Sequence, residues 1–439
     1  MCKGEKDIMA SEIETLLDVA VIGGGPAGIS ACIELSKLSK LKIELFECDD
    51  KLGGIPRIED IHFFGFRDLK RIYSGPGYAQ KLDHLIRKTS VEINTEATVL
   101  KLIPENRGES HQLEVLSPRG LKTYKSRFII LATGCFESSQ FPRVIPGLRP
   151  AGVFTTGTLL ELVNSQNRKP GKSALIIGSE HVVFPCIFAL RKAGTSIMGI
   201  VEEDSKVQTY AFPFRSLASF LGIPIYNNTL INGILGHKRV EGVELFNLVN
   251  EKISKIKCDT VVITGKFRSY SPLIDHSVIE RDPLTFGPVV DNTLMTSVPN
   301  IYAAGNVLRG ADMHDLCFLE GKQAALSILG TIESGKNEIP EYVSMHTEYP
   351  IRHVVPQKII PSQIKSYRFA CLHPGVSIQV LHTLKKAAIE AWSNDRKIWE
   401  SRPSKLIANN RISIPIKQFD WNHVDMDRGI ALRIQVVES

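Results

Sequence analysis

The chain has 439 residues, 43% of them hydrophobic and 23% charged, which excludes a disordered or fibrous class and exceeds what one hydrophobic core usually serves, so two or three domains are expected. Its net charge of +6 comes from scattered Lys and Arg without a basic run, so nucleic-acid binding is not expected. No run of about 18 apolar residues occurs, and the start Met1-Cys2-Lys3-Gly4-Glu5-Lys6-Asp7 carries acids and no apolar signal core. A soluble, cytoplasmic protein without a transmembrane segment is expected.

Residues 1–16 read as a polar leader, and Leu17 to Ile22 as a buried strand. A helix from about Pro26 to Leu38 and a second strand from Leu41 to Glu47 complete a βαβ unit. Beyond a polar loop, Ser74-Gly75-Pro76 signals a helix start with Ser74 as cap, and the helix runs to about Lys88. Three strand-like runs follow, Thr98–Ile103, Gln112–Leu116 and Leu121–Lys125, as a meander; Phe128 to Gly134 then reads as a separate buried parallel strand.

From Ser173 the plan recurs. Strand Ala174–Ile177, a helix to about Ala193, strand Ser196–Val201, a meander near 230–256 and the strand from Thr260 to Gly265 form a second unit. A further strand, Asn300 to Asn306, precedes an amphipathic helix ending near Gly330. Residues 340–439 read as β-rich, with a hairpin around Ser393-Asn394-Asp395-Arg396. Its Trp392 and Trp399 are expected either to face a partner or to pack on the preceding domain.

The most specific chemistry lies between the first strand and helix. Gly23, Gly25 and Gly28 have the spacing of a dinucleotide fingerprint: the first permits the tight turn, the second lets pyrophosphate approach the backbone, the third lets helix pack on strand. Pro26 and Ala27 open the helix, whose N-terminal N–H groups and dipole favour phosphate. Glu47 ends the second strand 24 residues after Gly23, where a carboxylate accepts hydrogen bonds from ribose hydroxyls.

Where a second fingerprint belongs, the residues are Gly178-Ser179-Glu180-His181-Val182-Val183. Glu180 and Val183 replace the second and third glycines, so NAD(P)H binding is disfavoured, although Glu202 after the next strand would suit a ribose. The eight cysteines, at 2, 32, 48, 135, 186, 258, 317 and 371, include no pair separated by two residues, which excludes a vicinal redox pair. No metal-binding set is expected.

The fingerprint, Leu52-Gly53-Gly54, Ala132-Thr133-Gly134 and Ile301-Tyr302-Ala303-Ala304-Gly305-Asn306 together resemble the two-dinucleotide-domain flavoproteins related to pyridine nucleotide-disulfide oxidoreductases. The resemblance implies an α/β fold of two Rossmann-like, FAD/NAD(P)-binding three-layer domains with a small β-rich C-terminal appendage. Residues 17–160 and 285–335 then form the FAD domain and residues 161–284 the degenerate second one. It also implies FAD as cofactor, held by Gly23, Gly25, Pro26, Ala27, Gly28, Glu47, Gly53, Gly54, Thr133, Gly134, Gly305 and Asn306. The family has Asp where this chain has Asn306, and an amide still hydrogen-bonds there.

The helix after Asn306 is expected to aim its N-terminus at the flavin, with Asp312 as its cap and His314 as a catalytic donor or proton relay. His62, Arg67 and Tyr73 are further residues able to face the flavin. Gly65-Phe66-Arg67-Asp68-Leu69 and Met313-His314-Asp315-Leu316-Cys317 resemble the FAD subunits of dye-linked dehydrogenases, such as the alpha-type subunits of opine oxidase, hydrogen cyanide synthase and L-proline dehydrogenase. Those subunits often carry a cluster of four C-terminal cysteines; here only Cys371 follows Cys317. The resemblance implies an electron-relaying FAD subunit whose substrate is a small organic molecule, an amino or hydroxy acid, beside a second flavoprotein subunit. Two other readings remain open, a stand-alone NAD(P)H-dependent flavin reductase and a structural FAD scaffold.

Overall fold

A computed structural model describes residues 13–38, 40–105, 110–209, 211–335, 340–364 and 376–437. Residues 1–12 of the expected leader, with Cys2, and the segment holding Cys371 lie outside the described residues.

The opening βαβ unit is β1 (Ile13–Ile22), α1 (Pro26–Leu35) and β2 (Ile43–Phe46). β1 begins inside the expected leader because its first residues find partners at positions 123–126 of a later strand. A short pair, β3 (His62–Phe64) and β4 (Tyr73–Ser74), leads into α2 (Gly75–Ile86), where Ser74 accepts a capping hydrogen bond from the Gly77 N–H at 3.2 Å. Then come β5 (Glu92–Asn94), β6 (Thr98–Ile103), β7 (His111–Ser117) and β8 (Gly120–Leu131). The two strands expected over 121–134 are thus one. Nothing between Lys125 and Phe128 breaks the chain, so the arm antiparallel to β7 runs on as a parallel neighbour of β1.

The short β9 (Cys135–Glu137) leaves this sheet, and the second one is built from β10 (Val153–Thr155), α3 (Thr156–Leu160), β11 (Ser173–Ile177), α4 (Val183–Lys192), β12 (Ser196–Val201), α5 (Ala211–Phe220) and β13 (Ile225–Tyr226). A meander of β14 (Thr229–Leu235), β15 (Gly242–Asn247) and β16 (Ile253–Ile256) precedes β17 (Thr260–Ile263). The five-stranded sheet has the order β10-β17-β11-β12-β13 and is parallel throughout. Both of its faces are covered, which is why β11 is an unbroken apolar run. Ala174 and Ile176 join the core under α4, whereas Leu175 and Ile177 join the core under the meander.

β18 (Phe267–Ser269) pairs with β9, and α6 (Pro272–Asp275) follows. The chain then returns to the first sheet as β19 (Ile301–Ala303), parallel to β8, and continues into α7 (His314–Ser334). α7 packs on α1 at backbone distance: a Cβ on Gly321 would lie 1.9 Å from the Ala27 carbonyl oxygen.

The C-terminal region holds β20 (Val343–Thr347), β21 (Ile351–Val355), β22 (Lys358–Ile359), β23 (Val376–Val380), β24 (Leu384–Ser393), β25 (Arg396–Glu400), β26 (Ser404–Leu406), β27 (Ile412–Ile414) and β28 (Ile430–Val436). They form a six-stranded and a three-stranded sheet around one apolar core. β24 and β25 make the hairpin expected at Ser393–Arg396, with Asn394 at φ 51° in the left-handed region its turn requires. Its tryptophans contact residues of this region: Trp399 packs at a tilt against Phe419, and Trp392 lies under the Arg433 guanidinium. Among the described residues no helix is long and apolar enough to cross a membrane.

Candidate functional site

The fingerprint glycines occupy their positions for the reasons the spacing implies. Gly23 has φ 109°, and a Cβ there would meet the Ala132 carbonyl oxygen at 2.3 Å. A Cβ on Gly28 would lie 1.9 Å from the Gly23 carbonyl oxygen, so only glycine lets α1 press this closely on β1. At Gly25 the opposite holds: a Cβ would meet no atom within 4 Å. The N-terminus of α1 carries no side-chain cap, and helix geometry leaves its first N–H groups without acceptors inside the helix. An open, uncapped helix start is the cradle a pyrophosphate needs.

Other sequence-predicted residues converge on this turn. Gly53 N–H donates to the Gly24 carbonyl at 2.8 Å, and a Cβ on Gly54 would lie 3.1 Å from Gly25 Cα. A Cβ on Gly305 would come within 2.9 Å of Ala27 Cβ. Thr133 donates its hydroxyl to the Tyr270 carbonyl at 2.9 Å, and Gly134, at φ 76°, again faces open space. Glu47 is buried at the end of β2, where Oε2 accepts from the Gly24 N–H at 2.6 Å and Oε1 from the Asp49 N–H at 2.8 Å. Oε1 also accepts from the Cys48 thiol at 3.2 Å, so Oε2 is the oxygen that keeps a lone pair for a ribose hydroxyl.

Asn306 is more committed than its place in the motif suggests. Its Oδ1 accepts from the Asp312 N–H at 2.9 Å and from the Cys317 thiol at 3.0 Å, and its side chain also hydrogen-bonds the Cys135 sulfur. Burial pushes the Cys135 thiol up to about 12, helped by the charge of Glu137, and raises Cys317 as well, so neither supplies a thiolate near neutral pH. The six described cysteines are all free of disulfide bonds.

His314 is the first residue of α7, and it lies against Phe64 with 5.0 Å between ring centroids. Its Nε2 is 3.6 Å from Oε2 of Glu59, a residue without any sequence signal. Burial lowers the imidazole to about 4, so at neutral pH this contact is not an ion pair. Burial and the nearby Glu137 raise Glu59 to about 7. No spacing rule connects positions 59, 137 and 314; the fold alone assembles them. Of the other candidates, Arg67 is anchored to Asp315 at 3.0 Å in the first turn of α7, and His62 is exposed on β3.

Asp312 does not cap α7. Met313 is the cap residue, and Asp312 belongs to a buried cluster in which Arg309 and Arg411 each reach both Asp312 and Glu320 at 2.7–3.0 Å. Burial opposes charge on Asp312, but the two guanidiniums outweigh it and hold its carboxyl below the usual range. Arg411 comes from the C-terminal region. Its neighbours reach the second sheet instead: Asn409 Nδ2 donates to Gln208 Oε1 at 2.7 Å, and Asn410 Oδ1 lies 2.8 Å from His181 Nε2.

At the second, glycine-poor turn, Glu180 folds back and accepts from the Thr264 hydroxyl at 2.7 Å; a Cβ on Gly265 would lie 2.0 Å from that carboxylate. Glu202, expected to suit a ribose, is buried and bonded to the Ser179 hydroxyl, the Asp204 N–H and the Gln208 amide. Side chains therefore fill the space that a backbone cradle would leave open.

Two sheets with parallel nucleotide-type cores, one with an open glycine turn and an acid ending its second strand, define a flavoprotein of the two-dinucleotide-domain class. A family model described as pyridine nucleotide-disulphide oxidoreductase matches residues 17–324, and the chain belongs to that family. It is an oxidoreductase that uses FAD. It is similar to the small chain of glutamate synthase [NADPH] from Escherichia coli (strain K12), 23% identical over 75% of this chain and 72% of the relative. It is also similar to a subunit of opine oxidase from Rhizobium meliloti (strain 1021), 24% identical over 72% of each. Among solved structures, a thioredoxin reductase from T. acidophilum shares the fold over 74% of this chain and all of that one, with a TM-score of 0.61 at 20% identity.

Gly25→Glu puts bulk and negative charge in the open cradle, and the purified variant is expected to lack the yellow FAD absorbance of the parent. Glu47→Ala is expected to weaken FAD binding by about 1.5–3 kcal/mol, measured by fluorescence titration of the apoprotein.

His353 on β21 is also buried, and burial together with Arg309 and Arg352 lowers it to about 3. A histidine lowered on folding contributes stability that is complete above its unfolded value of 6.5 and is lost as pH falls towards the folded one. Thermal melts of His353→Gln are therefore expected to lose less stability than the parent between about pH 6.5 and 4.

Proposed function

We propose that the protein is an FAD-containing dehydrogenase subunit that takes electrons from a small amino or hydroxy acid at its own flavin and relays them to another carrier, working with a second flavoprotein subunit. The observation that carries the reading is the filled second turn. Glu180 lies where a nicotinamide dinucleotide would thread its pyrophosphate, and Asn409 and Asn410 cover the adjoining His181 and Gln208. Negative charge and occupied space both oppose NAD(P)H there, which favours an organic electron donor. The likeness to the opine oxidase chain supports the same class.

In this reading Gly23, Gly25, Pro26, Ala27 and Gly28 hold the pyrophosphate, and Glu47 takes the adenosine ribose. Gly53, Gly54, Thr133, Gly134, Gly305 and Asn306 line the rest of the cofactor. FAD supplies two-electron chemistry when bound. The chain's own residues orient it and exclude water, with His314 a neutral donor at the head of α7. The competing reading, an NAD(P)H-dependent reductase, draws on the likeness to the glutamate synthase small chain. It requires Glu180 to swing out of its bond with Thr264.

Anaerobic mixing of the FAD-loaded protein with each candidate donor separates the two. Bleaching at about 450 nm, the usual flavin band, is expected with an L-amino or 2-hydroxy acid and to be slow with NADH. Reduction by micromolar NADH on the order of 10 per second would replace this reading with the reductase.

A further inference from the structure

We propose that Glu59 is the group that takes the proton when a substrate carbon bearing an amino or hydroxyl group is oxidised at the bound flavin, with His314 as its polar neighbour. The inference deepens the organic-donor reading above and rests on it. Glu59 is only 8% exposed, yet its carboxyl accepts no hydrogen bond from any described residue, and its nearest polar neighbour is His314 Nε2 at 3.6 Å. Among the described residues no cation neutralises it. A carboxyl this enclosed and given no donor costs stability. Its surroundings explain what that cost serves.

Glu59 follows the Gly53–Gly54 loop that abuts the pyrophosphate turn. Beside it, Ile58 packs into the core under α4, and Asp60 bonds Lys192 of that helix at 2.9 Å. The residue therefore sits between the Gly53–Gly54 loop, the head of α7 and α4 of the second unit. The titratable groups facing it are His314 from α7, Glu137 from β9 and Cys186 from α4. Oε1 of Glu137 is itself enclosed and unpaired. Burial and Glu137 bring Glu59 to about 7, so both protonation states are populated near neutral pH, as a proton acceptor requires.

In the oxidation the substrate C–H bond breaks and its electron pair leaves as hydride to the flavin, which is reduced. The N–H or O–H proton passes to Glu59, and a C=N or C=O bond forms. Amines and alcohols fit because each must lose a proton together with the hydride. Tertiary amines and other donors without such a proton do not.

The test uses the FAD-loaded full chain with Glu59→Gln, which keeps the shape, and Glu59→Asp, which keeps the charge. Visible absorbance is followed from about pH 5.5 to about 8.5, bracketing the group. The parent is expected to show a one-proton flavin shift centred near 7. Glu59→Gln should lack that shift and Glu59→Asp should keep one. Identical titrations in the parent and Glu59→Gln overturn the proposal. Anaerobic reduction by the best amino- or hydroxy-acid donor is expected to slow by about 10²–10⁴-fold in Glu59→Gln at unchanged FAD content, with partial rescue in Glu59→Asp. Equal rates overturn the assignment of Glu59 while leaving the organic-donor reading intact. Reduction of the parent by NADH and by no organic donor overturns that reading and the proton transfer with it.

Discussion

Arg309, Arg411, Asp312 and Glu320 share one buried cluster, in which the C-terminal region meets the segment between the flavin-side motif and α7. Buried charges are costly unless each is paired, and removing one partner of such a set typically costs about 3–5 kcal/mol. Here both carboxylates are reached by both guanidiniums, and Glu320 also accepts from the Gly305 N–H at 3.1 Å. The cluster thus fixes three things together: the Gly305-Asn306 turn, the approach to α7, and the C-terminal region that supplies Arg411. The same short segment, Asn409-Asn410-Arg411, also reaches the second sheet. One tripeptide therefore holds the flavin-side motif and the second nucleotide-type turn in a fixed relation.

That relation gives the two turns opposite characters. The first is open at Gly25 and uncapped, so its backbone N–H groups are available to phosphate. The second has spent its polar groups on the protein itself, with Glu180 on Thr264, Glu202 on Ser179, and His181 on Thr209 and Asn410. The polar groups of the second turn are thus engaged within the protein.

The local parts of this architecture were legible in the sequence because they follow from short-range rules. Glycine spacing identified the tight turn at Gly23 and the close packing at Gly28, and apolar runs bounded by turn residues located β6, β11 and β12. Ser74 was readable as a cap from its neighbours. What escaped was set by tertiary contact. β8 is one strand because β1 and β7 flank it without interruption, so a meander arm and a parallel strand fuse. Asp312 looks like a cap from its position, but Arg411, far away in sequence, claims its carboxylate. Glu59 carries no motif, and only the folded chain brings it to His314 and Glu137.

In the function we propose, the chain itself closes its second nucleotide turn, and electrons enter from an organic donor. Calorimetric titration of NADH and NADPH into the FAD-loaded protein tests this most directly, because it reads binding whether or not electrons follow. No binding tighter than about 1 mM is expected. A dissociation constant in the micromolar range at one site per chain would contradict it.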